Sequence, residues 1–323
     1  MTCIGIILPV RNRWHAYTNK ILAQLNQQGL LSDDSNDYVV VVDDGSTDGT
    51  TEKVKSLYPA AHLLLGNGNL WWGGAINEGM KYLLDFPNVE AIVWLNDDLI
   101  IPNDFVEKLK IIAPEAIENN AIIGGLAVSI FDSNWIAFCG VVKSKPLRYI
   151  NDLKEDLTEV SHLSGNIVIL PSAVVKTVGY IDILRFPHYN ADYDYTHRAR
   201  KNGIQLLISR DLKAETQYDI KDVIRYMPVW MQFYLEKNPN QRIKIFSNMR
   251  SRKFIYNIRT LVDSINADQK SEWWNYEAFY IKKILQCIFY TFLPKKQINK
   301  IFLKYFESEQ IHPKIASEIL EIL

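Results

Sequence analysis

Three groups of acidic residues have the types and spacing to do chemistry. Asp43 and Asp44 lie in VVVVDDGSTDGT, Asp97 and Asp98 follow Asn96 in VWLNDD, and Asp192 and Asp194 lie in PHYNADYDYTHRARKNG. The four valines before the first pair read as a strand buried on both faces, with Asp43 and Asp44 at its carboxyl end. Gly45 allows a sharp turn, and Ser46 or Thr47 is placed to cap a helix beginning near Asp48. One carboxylate supports such a turn, which leaves the other to read a ligand. Carboxylates at strand ends suit a divalent cation that bridges protein to phosphate, because Mg²⁺ and Mn²⁺ prefer oxygen ligands. A carboxylate within reach of a hydroxyl suits removal of a proton from a weak nucleophile.

Positioning these groups on one edge requires strands that run the same way. Up to about residue 170, short apolar runs alternate with amphipathic segments. IGIILPV, YVVVVDD, HLLLG and AIVWLNDD are expected as strands, and helices are expected over 14–28, 50–58, 73–86 and 104–117. AIIGGLAVSI, WIAFCGVV and GNIVILP add further strands. This alternation argues for an α/β fold with a mostly parallel sheet flanked by helices. In such sheets ligands bind outside the carboxyl ends of the strands. That edge is expected to carry LPVRNR, the Asp43–Asp44 pair, GNGNLWWGGAINEG and Asn96–Asp98. Beyond residue 219 the pattern turns helical and aromatic, so the expected division is 1–220 and 221–323.

Composition excludes several classes. The chain has 323 residues, 48% of them hydrophobic, and a net charge of -1 that gives no global case for nucleic-acid binding. The basic residues cluster: residues 241–306 hold thirteen Lys and Arg against four Asp and Glu. Cys3, Cys139 and Cys287 lie far apart in apolar surroundings, which is neither a disulfide framework nor a zinc pattern. MTCIGIILPVRNR lacks a basic segment before its apolar run, and no stretch has the length of a transmembrane helix. A soluble cytoplasmic protein is expected.

In their order and context, LPVRNR, VVDDGSTDGT, WLNDD and HYNADYDYTHRARKNG resemble the family 2 glycosyltransferases of GT-A (Rossmann-like) fold, over roughly residues 4–210. Bacterial members that build rhamnose- or galactofuranose-type surface polysaccharides are the nearest in pattern. The resemblance implies that Asp43 and Asp44 hydrogen-bond the donor nucleoside, with Pro9, Val10 and Arg11 lining the base pocket. It places Asn96, Asp97 and Asp98 at the metal motif, where Asp98 carries Mg²⁺ or Mn²⁺ on the donor diphosphate. Gly73, Gly74, Asn77 and Gly79 match a donor-contacting segment, and Asp192 matches the general base of an inverting transfer. Asp194, Arg198, Gly165, Asn166 and His188 fall on the acceptor side. Trp71 and Trp72 are adjacent, so at least one is expected to wall the sugar site, where flat apolar faces suit sugar C–H surfaces.

Two departures stand out. Ala191 replaces the acidic residue that usually precedes the base, which removes a like charge and is expected to lower the Asp192 pKa. The metal-binding His that many relatives place after the strand following the base helix is absent from LLISRDLKAETQYD, which leaves Glu215 or Gln217 to coordinate weakly or a reduced dependence on metal. The implied donor is a dTDP- or UDP-linked sugar, and the acceptor a glycan or lipid-linked glycan. The basic aromatic C-terminal helices suit the inner face of a cell membrane or a homodimer contact, with burial of their aromatics expected. A nucleotidyltransferase and a non-catalytic sugar-binding subunit are the rival readings; LPVRNRWH has no glycine for a nucleotidyltransferase phosphate loop.

Overall fold

The computed structural model describes residues 2–32, 34–142, 145–265 and 271–323. They form two compact units: residues 1–183 with 191–217, and residues 184–190 with 218–323. A single boundary near residue 220 therefore misses the short stretch 184–190, which belongs to the second unit although the first flanks it.

The first unit is built on one large sheet. Its path runs through β1 (Cys3–Val10), β2 (Tyr38–Asp43), β3 (His62–Leu65), β4 (Val89–Leu95), β5 (Ala121–Ser129), β6 (Leu157–Glu159), β7 (Ile167–Pro171) and β8 (Gln205–Thr216). The spatial order is β6-β8-β5-β7-β4-β1-β2-β3. β3, β2, β1 and β4 are parallel neighbours, as the alternating pattern implies. Beyond β4 the sheet becomes mixed: β7 runs antiparallel to both β4 and β5, while β8 runs parallel to β5. The apolar runs that form β1, β2 and β4 are buried on both faces, which is why they lack polar alternation.

Helices flank this sheet. They are α1 (Asn19–Gln27), α2 (Thr50–Leu57), α3 (Trp71–Leu84), α4 (Phe105–Glu118), α5 (Ser172–Val178) and α6 (Ala191–Lys201). A wide helical turn, Trp14–Thr18, leads into α1. α3 lies very close to β1, because a Cβ on Gly79 would meet Ile7 at 2.5 Å and one on Gly5 would meet Leu83 at 2.5 Å. Such contact fixes where the α3 N-terminus stands relative to the strand ends.

The second unit is helical: α7 (Ile220–Tyr226), α8 (Val229–Leu235), α9 (Pro239–Asn248), α10 (Ile258–Ile265), α11 (Trp273–Thr291), α12 (Lys295–Ser308) and α13 (Pro313–Ile322). Pro228 separates α7 from α8. The Trp230 ring stacks on Tyr290 at 3.8 Å and meets Phe302 edge-on, forming an aromatic core. All three cysteines are free and buried, and burial pushes the Cys3 thiol up to about 11 and those of Cys139 and Cys287 up to about 12. Among the described residues no helix is long and apolar enough to cross a membrane.

Candidate active site

The loops after β1 and β2 are tied to each other at the carboxyl edge. The Asn12 N–H donates to the Ser46 hydroxyl at 2.8 Å, and Asn12 Oδ1 accepts the Thr47 N–H at 2.6 Å. Ser46 and Thr47 are therefore engaged with the first loop and do not cap α2. That helix starts at Thr50 after Gly49, whose φ of 82° suits glycine, and Asp48 accepts from both the Thr50 N–H and its hydroxyl.

Both carboxylates of the doubled Asp have internal partners. Asp43 is fully buried and accepts the Ser46 N–H at 2.9 Å and the Thr51 hydroxyl at 2.5 Å. Asp44 accepts three backbone N–H groups from the Gly-rich loop: Gly68 at 2.8 Å, Leu70 at 3.1 Å and Trp71 at 2.9 Å. Arg11 lies 3.6 Å from Asp44 and donates to the Gly68 carbonyl. Where one Asp was expected for the turn and one left over, both carboxylates are bonded within the loops; Asp44 Oδ1 is filled by two N–H groups, while Asp44 Oδ2 and both Asp43 oxygens accept one each. Pro9 is half-buried at the end of β1, whereas Val10 is part of the hydrophobic core.

Two of the Gly-rich positions have packing roles. The Asn77 amide is buried and exchanges two hydrogen bonds with the Ile181 backbone, both at 2.9 Å. Gly74 is buried in the first turn of α3 against Leu70. Trp71 opens α3 at a left-handed φ of 56°, a strained position for a large residue that the Asp44 bond to its N–H helps hold.

Trp72 reaches from Asn96 to the neighbourhood of Asp192. Its indole N–H donates to Asn96 Oδ1 at 2.8 Å, and its ring meets buried Trp94 edge-on at 5.6 Å. A Cβ on Gly165 would lie 2.4 Å from the Trp72 ring and 3.2 Å from the Asp192 Cβ, so glycine there lets ring and carboxylate share one spot. The Asn96 N–H reaches the Asn166 carbonyl at 3.0 Å, closing the β4–β7 pairing at this edge.

Asp192 sits in the first turn of α6 and accepts the Gly165 N–H at 2.8 Å and its neighbour Tyr193's N–H at 2.9 Å. Burial raises its pKa, opposed by those two N–H groups. The lowering expected from Ala191 is therefore overridden by desolvation.

Arg13 is the residue that motif reading missed. Its guanidinium spans the acidic pair, with Nη1 2.9 Å from Asp97 and Nη2 2.9 Å from Asp98. Asp97 is 1% exposed, also accepts the Thr18 hydroxyl at 2.7 Å, and is pushed up to about 6 by burial against the pull of Arg13. Asp97 is thus an internal counter-ion rather than a donor contact. The signal lay in LPVRNR: two carboxylates at a buried strand end require a nearby cation.

Asp98 is the one candidate ligand that fits a cation. Its Oδ2 faces Arg13, while Oδ1 is buried with no hydrogen-bond partner. An orphaned carboxylate oxygen is what an ion completed by diphosphate and water would use. Among the described residues no three His, Cys, Asp or Glu side chains cluster as a metal site. Glu215 does not join Asp98: it is exposed and lines a groove with Lys108 and Lys213, and its neighbour Thr216 donates to the Asp98 carbonyl. Gln217 is exposed at the end of β8.

The remaining acceptor-side residues divide. Arg198 bonds Asp194 at 2.9 Å and the carbonyls of Val178 and Tyr180 at 2.9 Å, so this pair anchors α6 to the loop after α5. His188 is exposed, packs on Tyr189, and belongs to the second unit, whereas Asp192 belongs to the first.

A β3-β2-β1-β4 parallel block carrying carboxylates at its edge, a Gly-rich loop and a half-buried acid at the start of α6 are the features of a GT-A glycosyltransferase fold. The sequence profile of glycosyl transferase family 2 matches residues 5–166, and the chain belongs to that family. The low-salt glycan biosynthesis hexosyltransferase Agl10 of Haloferax volcanii is 23% identical over 177 residues, 52% of each chain. This chain thus spans about half the length of that curated relative. S. aureus TarS in complex with UDP-GlcNAc superposes with a TM-score of 0.51 at 19% identity, over 87% of this chain and 81% of that one. Its complex with UDP gives 0.50 at 17% identity, over 98% and 83%.

Proposed function

We propose that the protein transfers a hexose from a pyrimidine nucleoside diphosphate to a hydroxyl of a glycan or lipid-linked glycan, with inversion. The observation that carries the reading is Asp192, half-buried and held by two N–H groups beside the Trp72 ring. An acceptor hydroxyl is a weak nucleophile, and Asp192 takes its proton as it attacks the anomeric carbon. The Trp72 face bounds the sugar, and the latched Gly66–Trp71 loop with Arg11 borders the nucleotide. Asp98 would hold a Mg²⁺ or Mn²⁺ ion, which when bound would supply charge to offset that growing on the departing diphosphate. Arg13 keeps Asp98 oriented for that task.

The UDP and UDP-GlcNAc complexes of TarS favour a uridine nucleotide, and the motif resemblance favours dTDP-rhamnose; the Agl10 likeness supports glycan synthesis, as in a surface polysaccharide. The reading includes peripheral contact with the cytoplasmic face of a membrane, or self-association, through the C-terminal helices. Calorimetric titration with UDP, dTDP, GDP and CDP, each with Mn²⁺, Mg²⁺ or a chelator, tests the donor half. Selective binding strengthened by metal is expected for UDP or dTDP. Binding of none of them overturns the reading.

A further inference from the structure

Helix α11 exposes a continuous apolar stripe. Trp274, Ile281, Leu285, Ile288, Phe289 and Phe292 are 61%, 55%, 60%, 45%, 60% and 82% exposed. At helical spacing these positions fall within a sector of about 100°, and they run for about 27 Å along the axis. The opposite side of the helix faces the unit's interior, where Cys287 is buried and Tyr290 stacks on Trp230. Six large apolar side chains in line on a water-exposed helix mark a surface that binds something.

The charges on and after this helix say what. Lys282 is exposed on its flank, and Lys295, Lys296, Lys300 and Lys304 are exposed on α12, which follows directly. Glu277, the carboxylate within α11, is held by Arg250 at 2.7 Å. A second copy seated on the stripe would bring two sets of lysines together, which like-charge repulsion opposes. An anionic surface with an apolar interior satisfies both features. The helix is not long and apolar enough to cross a bilayer, so it lies in the interface.

We infer that the α11 stripe seats the protein on a bilayer containing anionic lipid, with the helix in the headgroup plane and the α12 lysines on the phosphates. This rests on the membrane part of the proposed reading and names its lipid class and contact face. Trp274 at one end suits the interface, where indole rings prefer to sit.

Flotation of the full chain with phosphatidylcholine vesicles, with and without phosphatidylglycerol, tests the inference. Binding about ten-fold or more tighter to the phosphatidylglycerol vesicles is expected, weakening with salt. Leu285→Glu with Phe292→Glu should abolish flotation, and Lys295→Glu with Lys296→Glu should remove the lipid preference. Each variant should keep parental far-UV dichroism and parental nucleotide binding, which separates failure of this inference from failure of the transferase reading. No flotation of the parent, or unchanged flotation of the Leu285→Glu, Phe292→Glu variant, would overturn it. So would a dimer in sedimentation velocity that this variant dissolves while neither form floats.

Discussion

The strand edge of the first unit and the α11 face of the second are built on opposite plans. At the edge, polar side chains are buried or half-buried and most are held by two or more partners: Asp43, Asp44, Asp97 and Asp192 each accept at least two hydrogen bonds or ion pairs. On α11, large apolar side chains face outward. The first plan fixes geometry for chemistry in advance. The second leaves a surface whose partner adapts to it. Substitutions at the edge should therefore cost stability or turnover, and substitutions on the stripe neither.

The largest effect is expected at Asp192. Asp192→Asn should lower turnover by about 10²- to 10⁴-fold, the usual worth of a general base, with nucleotide affinity unchanged by calorimetry. Parental turnover in this variant would remove Asp192 from the mechanism. The same carboxylate sets a pH dependence. It must be ionised to accept a proton, and burial raises its pKa, so turnover should fall as pH drops, along a limb lying above the ordinary carboxylate range. A limb at or below that range would show that the base is solvated or is another group.

Next comes Arg13. Arg13→Met leaves Asp97 buried without its cation and should cost about 2–4 kcal/mol in urea unfolding, toward the lower end because the arginine is partly exposed. A loss under about 0.5 kcal/mol would show the bridge to be a surface pair only. Gly165→Ala is expected to push the Trp72 ring off its place beside Asp192. It should reduce turnover about ten-fold or more and destabilise by about 1–3 kcal/mol. The smallest effect belongs to the stripe: Leu285→Glu should change unfolding free energy by no more than about 0.5 kcal/mol. A much larger loss would mean that the residue is packed, and the contrast between the two regions would fail there.

Much of this was legible before any coordinates. The buried valines of β2, the Asp pair at its end and the α3 segment all follow from local pattern, since periodicity reports burial directly. The roles of individual side chains were not. Val10 and Asn77 match donor motifs, yet Val10 fills core and Asn77 bonds the Ile181 backbone 104 residues away. Arg13 carries no local signal because its partners lie 84 and 85 residues on, a distance that the β1–β4 pairing closes. In α11 the spacing of Trp274, Ile281, Leu285 and Phe292 shows that they share a face. Whether that face is covered depends on the helices around it: the burial expected of the C-terminal aromatics holds for Trp230, Phe302 and Phe306 and fails for Trp274 and Phe292.

The Asp44 latch has one more consequence, in the language of amide exchange. The N–H groups of Gly68, Leu70 and Trp71 belong to a glycine-rich connection that would ordinarily exchange with solvent at once. Here one buried carboxylate holds all three, so none is free until the Asp44 side chain lets go. The three amides should therefore exchange as a single unit with one shared opening free energy, and Asp44→Ala should bring all of them to the unprotected rate together.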